Sequence, residues 1–320
     1  MLIPESPPNN VGLVTALKNK FETLAPSSRA IFWAASAGLI FCMLNATLRA
    51  LALQFDPFQA QFLRYSCGLL VLMPIALKVG LKSYKPNGLK GQIWRGIVHT
   101  SALMLWFAAL PHLTMADTTA IGFMTPIFVM IGAVLFLNEK MVAARWIAAA
   151  IGFGGMLVVL GPKLNGGGGF WMLVMFASAP VFAGSFLITK ALTKRDTPAV
   201  IVFWQALTVS LFTLPLALLH WAWPAPWQWG IFLLSGILGS SGHWCLTNSF
   251  RMADISSTQS LKFLDLVWSA LIGYALFSDI PSKATLIGGV IICSATVWLA
   301  RKESIDAKAR IAEDRLADER

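Results

Sequence analysis

Apolar residues run along this chain in blocks of about twenty, divided by short polar breaks. Ten blocks can be marked: 30–53, 58–79, 93–110, 115–137, 143–161, 169–189, 198–220, 227–250, 254–277 and 284–300. A bilayer core about 30 Å thick is crossed by roughly 20 apolar residues in an α-helix. The pattern therefore predicts an all-α integral membrane protein with ten transmembrane helices. Most breaks are short, which predicts that consecutive helices pack as neighbours. The first 28 residues are polar and contain Pro4, Pro7 and Pro8, which does not fit a cleavable secretion signal.

Composition agrees with this reading and charge orients it. Of 320 residues, 57% are hydrophobic and 12% charged, about half the quarter usual in soluble proteins; mean hydropathy is +0.68. Disorder, coiled coil and nucleic-acid binding do not fit that balance. The net charge of +10 follows from topology. With the N-terminus in the cytoplasm, twenty of the twenty-five basic residues fall on the inner side, Lys78, Lys82, Lys85, Lys90 and Arg95 among them. Only Lys163 and Lys283 fall outside, while Arg49, Arg64 and Lys262 lie within spans. Basic residues concentrate on the cytoplasmic side, so both termini are expected there. Cys42, Cys67, Cys245 and Cys293 fall inside apolar blocks without metal-ligand spacing and read as small buried side chains.

The ends are polar. Val14, Leu17, Phe21 and Leu24 recur at helical spacing beside Lys18 and Lys20, as in a helix lying on the inner leaflet or an ordinary tail. Residues 302–320 read as a charged, solvated helical tail. Trp221, Trp223, Trp227 and Trp229 form an interfacial belt between spans seven and eight.

The two halves resemble each other. Pro57, Phe62, Arg64 and Pro74 match Pro198, Phe203, Gln205 and Pro215 at one offset, at which Arg49 also matches Lys190. Met115-Ala116-Asp117 recurs as Met252-Ala253-Asp254, and residues 136–139 parallel 276–279. Five spans per half is an odd number, so the second copy enters the membrane from the opposite side. Inverted repeats of this kind underlie many secondary transporters. The organisation expected is a tail (1–29), a first five-helix repeat (30–162), a Gly-rich external linker (163–168), a second repeat (169–301) and the tail 302–320.

A family resemblance rests on definite stretches. Residues 108–111 (Ala-Ala-Leu-Pro), Asn138-Glu139-Lys140, Arg145-Trp146 and Gly152-Phe153-Gly154-Gly155 resemble the EamA-type module of the drug/metabolite transporter superfamily. So do residues 249–254 and 273–277, with Pro281 and Gly288. The resemblance covers about residues 30–301 and, within the superfamily, is greatest to S-adenosylmethionine uptake carriers. One position departs: Pro126 stands in span four, but its counterpart in span nine is Leu266, flanked by Lys262 and Asp265. The resemblance implies a ten-helix basket around a central cavity, in a bacterial inner membrane.

Ionisable groups at membrane depth mark function or pairing. Lys262 and Asp265 are three apart, hence on one helix face. They either neutralise each other in a packing role, or a substrate or proton competes for one partner. Arg64, two turns into span two, suits a carboxylate or phosphate; the alternative is snorkelling or bonding to backbone carbonyls. His99 and His243 are candidates for proton coupling, or are simply hydrogen-bonded. Trp106-Phe107 and His243-Trp244 stand at equivalent repeat positions and could sandwich a planar or cationic substrate, or pack the core. Thr125-Pro126 frees a backbone carbonyl near the midplane or makes a kink. Asp117 and Asp254 read as helix N-caps, and Glu139 and Asp279 as structural.

Residues 239–242 (Gly-Ser-Ser-Gly) formally match an intramembrane serine protease motif with His99 as base, but small residues also allow close helix packing. No Walker A motif or zinc spacing appears, so no catalytic residue, cofactor or metal is expected. The reading is a secondary active transporter, moving a small polar or zwitterionic metabolite, amino-acid-like or S-adenosylmethionine-like, by alternating access. Its cavity is expected among spans one, three, four, six, eight and nine. Lys262 and Asp265 form the charged centre, with Asp265 a proton-coupling candidate. Arg64 is the anion contact, Thr125 a polar midplane group, and Trp106, Phe123 and Trp244 the aromatic walls. Expected partners are a small-molecule substrate, the lipid bilayer and a coupling proton, without nucleic acid, in a monomer or homodimer. Drug or toxin efflux is the nearest alternative; a selective channel and a protease are remoter ones.

Overall fold

The computed structural model describes residues 21–49, 54–113, 121–161, 169–278, 280 and 283–318. Ten α-helices run through them: α1 Pro26–Arg49, α2 Pro57–Val79, α3 Leu89–Ala109, α4 Thr125–Leu137, α5 Ala143–Leu160, α6 Gly169–Leu192, α7 Pro198–Ala217, α8 Pro226–Met252, α9 Leu264–Phe277 and α10 Lys283–Asp318. One helix falls in each of the ten apolar blocks. The tenth continues unbroken into the charged tail. Of the inner-leaflet segment only residues 21–24 are described; there Phe21 packs edge-on against Phe32 and Trp33 at 5.2 and 5.8 Å.

Helix starts follow local chemistry. Asp56 caps α2, its Oδ1 accepting from the Phe58 and Gln59 amides at 2.8 and 3.3 Å, with Pro57 at the first helical position. Thr197 and Pro198 open α7 by the same device. A proline there forfeits no hydrogen bond, because the first amides have no intrahelical partner. Six helices (α1, α2, α5, α6, α7 and α10) are long and apolar enough to cross a membrane. The other four depart for two reasons. α3 and α8 bury polar side chains at mid-length, which lowers their hydropathy, and α4 and α9 are short.

Consecutive helices are mostly not the closest neighbours, contrary to the expectation from short connections. The most extensive packing joins the halves: α1 on α8, α3 on α6, α2 on α7 and α5 on α10. When each helix is exchanged for the one five places on, α1–α8 becomes α6–α3, α2–α8 becomes α7–α3, and α4–α6 becomes α9–α1; each is an observed packing. The ends of α4 and α9 also agree, since both close on a left-handed residue, Asn138 and Ser278, each at φ 55°.

Span nine differs from the expected continuous helix. Residues Ile255–Phe263 form a 3-10 helix, and α9 begins only at Leu264. Nine residues is long for 3-10 geometry, which usually stops at three or four. Its hydroxyls bond locally, as Thr258 Oγ1 donates to the Ile255 carbonyl at 2.8 Å and Ser257 Oγ to the Asp254 carbonyl at 2.8 Å. Such side-chain bonds compete with regular α-helix. The helix therefore breaks without a proline. Asp254 does not cap it through its side chain; it pairs instead with Arg145 at 3.0 Å. Glu139 takes that place, accepting from the Ile255 and Ser256 amides at 2.7 and 3.1 Å and from Ser256 Oγ at 2.6 Å. Asp117 lies outside the described residues.

Candidate functional site

Two of the charged centres among the described residues contain expected site residues. The first is a buried polar cluster on α2, α3, α6, α7 and α8. Arg95, only 2% exposed, donates through Nη2 to Gln205 Oε1 at 2.7 Å, through Nη1 to the Ile201 carbonyl at 3.1 Å, and through Nε to Thr189 Oγ1. An arginine can only donate, so the Gln205 oxygen must face it and the Gln205 amide nitrogen must face away. That nitrogen lies 3.2 Å from His243 Nε2, which therefore accepts and leaves the ring proton on Nδ1. Tyr65 Oη lies 3.0 Å from His99 Nε2, and His99 Nδ1 lies 3.1 Å from Ser185 Oγ. Both histidines are thus held in one connected network.

Arg64 borders this cluster, 7% exposed. Its Nη1 donates to Gln61 Oε1 at 2.9 Å, and its guanidinium carbon lies 4.6 Å from the Tyr65 ring centre. Close packing brings it there. An added Cβ at Gly236 would meet the backbone of Cys67 and Gly68, and one at Gly239 would meet the Arg64 guanidinium. Gly236 and Gly239 face α2 because only hydrogen fits. That is the packing use of the Gly-Ser-Ser-Gly run; Ser241 is exposed, and the His99 ring nitrogens are engaged by Tyr65 and Ser185. A cavity of about 10 Å³ lies beside Arg64, bordered by Tyr65, Gln205, Ser240 and His243. Its walls are α2, α7 and α8, of which only α8 was among the six expected spans.

The second centre joins α1 to the 3-10/α9 junction. Lys262 Nζ lies 3.7 Å from Asp265 Oδ2, with side chains 23% and 25% exposed. The expected pair forms, though across the junction and not on one face of a continuous helix. Gly38 of α1 leaves room for the Asp265 carboxylate, which an added Cβ would strike. Cys42 Sγ lies 3.4 Å from both the Asp265 carbonyl and Ser269 Oγ. Lys262 Nζ also stands 5.2 Å from the Phe41 ring centre, and Phe41 meets His243 edge-on at 5.0 Å. Phe41 thereby touches both centres.

The remaining expected residues are more scattered. Phe123 stacks on Phe263 at 5.5 Å, and Thr125 is buried at the start of α4. Trp106 meets Phe182 edge-on at 6.2 Å. Trp244 is 41% exposed and packs against Trp33 at 5.1 Å. The sequence reading missed four members. Arg95 had been placed with the inner loop basics, although Gln92, Arg95 and His99 recur at i, i+3 and i+7 as a polar stripe. Gln205 appeared only as a repeat counterpart; Tyr65 and Phe41 carried no local signal.

Comparison with known proteins bears on this arrangement. The chain is 28% identical over 253 residues to an S-adenosylmethionine uptake transporter of Rickettsia bellii, covering 79% of this chain and 87% of that one. It is 29% identical to a riboflavin transporter of Rhizobium johnstonii (89% and 96% covered) and 25% identical to a pseudopaline exporter of Pseudomonas aeruginosa (85% and 95%). A solved crystal structure shares the fold at a TM-score of 0.72, with 21% identity over 85% of this chain and 98% of that chain. Residues 28–161 and 169–301 each match the EamA-like transporter family, and this multi-pass membrane protein belongs to that family.

Proposed function

We propose that the protein is a secondary active carrier that moves a small polar or zwitterionic metabolite across a bacterial inner membrane by alternating access. In this reading two inverted five-helix repeats, 30–162 and 169–301, exchange roles around the centre, with both termini in the cytoplasm and 163–168 as the external joint. The double family match and the exchange of helix packings between halves support it. The relatives named for S-adenosylmethionine, riboflavin and pseudopaline support a metabolite as cargo.

One observation carries the substrate class: a cationic cluster and a Lys–Asp pair lie on either side of Phe41. A zwitterion presents complementary groups to both. Arg64 serves the anionic group. Asp265 serves the cationic group or a proton, and its movement between Lys262 and cargo couples binding to the α1–α9 contact. His99 and His243 remain candidates for proton coupling. A proton on His243 Nε2 would break the bond from Gln205, which links that event to α7.

The test is thermal stabilisation of detergent-purified protein against S-adenosylmethionine, amino acids, riboflavin and cationic dyes, followed by counterflow in proteoliposomes. A ligand selective for the native state raises its apparent stability. A shift with a zwitterion, absent in Asp265→Asn, is expected together with counterflow. Shifts with dyes alone would replace this reading by drug efflux, and flux without counterflow by a channel.

A further inference from the structure

The connection from α2 to α3 carries a surface of one sign. Residues 57–116 contain no Asp or Glu, and Lys78, Lys82, Lys85 and Lys90 are all exposed around the 3-10 turn Leu81–Tyr84. The fold adds to that surface. Asn87 donates through Nδ2 to the Arg195 carbonyl at 2.7 Å, which brings exposed Lys194 and Arg195 of the α6–α7 turn beside the connection. The acid at this corner does not offset them. Asp196 is 5% exposed, and its two oxygens accept from the Asn87 amide and from Gln92 Nε2, each at 2.8 Å. Among the described residues, none of these six cations forms an ion pair.

Basic residues gather at the membrane boundary of many such proteins, so a second feature is what makes this a site. A cavity of about 360 Å³ opens between the connection and α7, lined by Leu81, Tyr84, Lys85 and Leu89 on one side and Phe203 and Trp204 on the other. Its aromatic wall has no free donor at Trp204, whose indole nitrogen already donates to the Tyr84 carbonyl at 2.9 Å. Trp204 stands six residues into α7, about 9 Å from its start. The cavity therefore reaches toward hydrocarbon depth, while Lys85 stands at the boundary. An occupant that fits both is apolar at one end and anionic at the other. We propose that this groove holds an acyl chain of one anionic phospholipid, whose phosphate is bound by Lys85 at the rim while the neighbouring lysines add charge. A lipid seated there ties the α2–α3 connection to the first turns of α7. The inference needs only a membrane-spanning chain, and no part of it rests on the cargo.

The experiment titrates the detergent-purified full chain with dioleoyl phosphatidylglycerol or dioleoyl phosphatidylcholine and counts bound lipid by native mass spectrometry. Melting temperature is read in parallel. One phosphatidylglycerol per chain is expected to bind about tenfold more tightly than phosphatidylcholine, and to raise the melting temperature more. Leu89→Trp fills the cavity without changing charge and should abolish that preference. Leu81→Trp, at another exposed lining position, takes its place if Leu89→Trp does not fold. Lys85→Gln should weaken phosphatidylglycerol binding about fivefold, and Lys78→Gln, outside the cavity lining, by less than about twofold. Equal binding of the two lipids would make this an ordinary lipid boundary and overturn the proposal. Binding undiminished in the cavity-filling variants, or equal losses in Lys85→Gln and Lys78→Gln, would leave diffuse charge as the cause and overturn it too. So would equal stabilisation by glycerol phosphate, which would assign the cations to a soluble anion. Counterflow of a metabolite is a separate readout, so this proposal and the carrier reading can fail separately.

Discussion

The polar cluster and the Lys262–Asp265 centre each bury charge in a membrane protein, by opposite means. In the cluster, Arg95 is held by neutral dipoles from three side chains or carbonyls on α6 and α7, and the network runs on through Gln205 to His243. Each member there fixes the orientation of the next, so the cluster is a rigid joint between helices. The Lys–Asp pair neutralises itself, is about a quarter exposed, and is separated by 3.7 Å, longer than a close charge-assisted hydrogen bond. It also sits where 3-10 gives way to α-helix. A centre built that way can release one partner without leaving several others unsatisfied. The difference makes Arg95 part of the scaffold and fits the proposal that Asp265 is the partner that moves.

That contrast can be broken by substitution. The largest effect is expected from Arg95→Met, which strips three acceptors of their donor and should destabilise the protein by about 3 kcal/mol or more; unfolding in mixed micelles measures it. A cost below about 1 kcal/mol would remove the scaffold role. Gly236→Ala comes next. Its Cβ meets α2 backbone that no rotamer change can clear, so about 2–3 kcal/mol is expected, visible as a lower melting temperature.

Asp265→Asn sharpens the other side. Its stability cost should be smaller, about 1–2 kcal/mol, because a partly exposed pair is screened by solvent, yet transport in proteoliposomes should be lost. Lys262→Gln together with Asp265→Asn should regain most of the stability and none of the transport. A double variant that transports normally would make the pair a packing device. Smallest of all is Ser241→Ala, expected to change stability by less than about 0.5 kcal/mol and leave uptake intact. Loss of function there would revive the reading of residues 239–242 as more than a packing stripe.

Much of the fold was legible because hydropathy is a local quantity. The ten apolar blocks each hold a helix. The Lys262–Asp265 pair was legible for the same reason, three residues apart in an apolar run. What escaped was of two kinds. The 3-10 segment arises from competition between hydroxyl groups and backbone along Ile255–Phe263, where the expected signal, a proline, is absent. The cluster gathers Tyr65, Arg95, Gln205 and His243 from four helices, and no spacing along a chain encodes such a meeting. Asp254 illustrates the second kind in miniature. It stands at the capping position, but Arg145 from α5 takes its carboxylate and Glu139 from the end of α4 does the capping.

By itself the sequence determined that this chain is apolar in ten stretches, where those stretches begin and end to within a few residues, and that its two halves echo one another. Those properties follow from water, lipid and the backbone acting on each residue in place. Only the tertiary structure decided which helices meet, that the halves pack on each other more than within themselves, and that, among the described residues, neither Arg64 nor Arg95 hydrogen-bonds a carboxylate. Those outcomes depend on shape: hydrogen in place of a side chain at Gly68, Gly236 and Gly239 lets α2 approach α8, and that approach gives the Arg64 charge its surroundings.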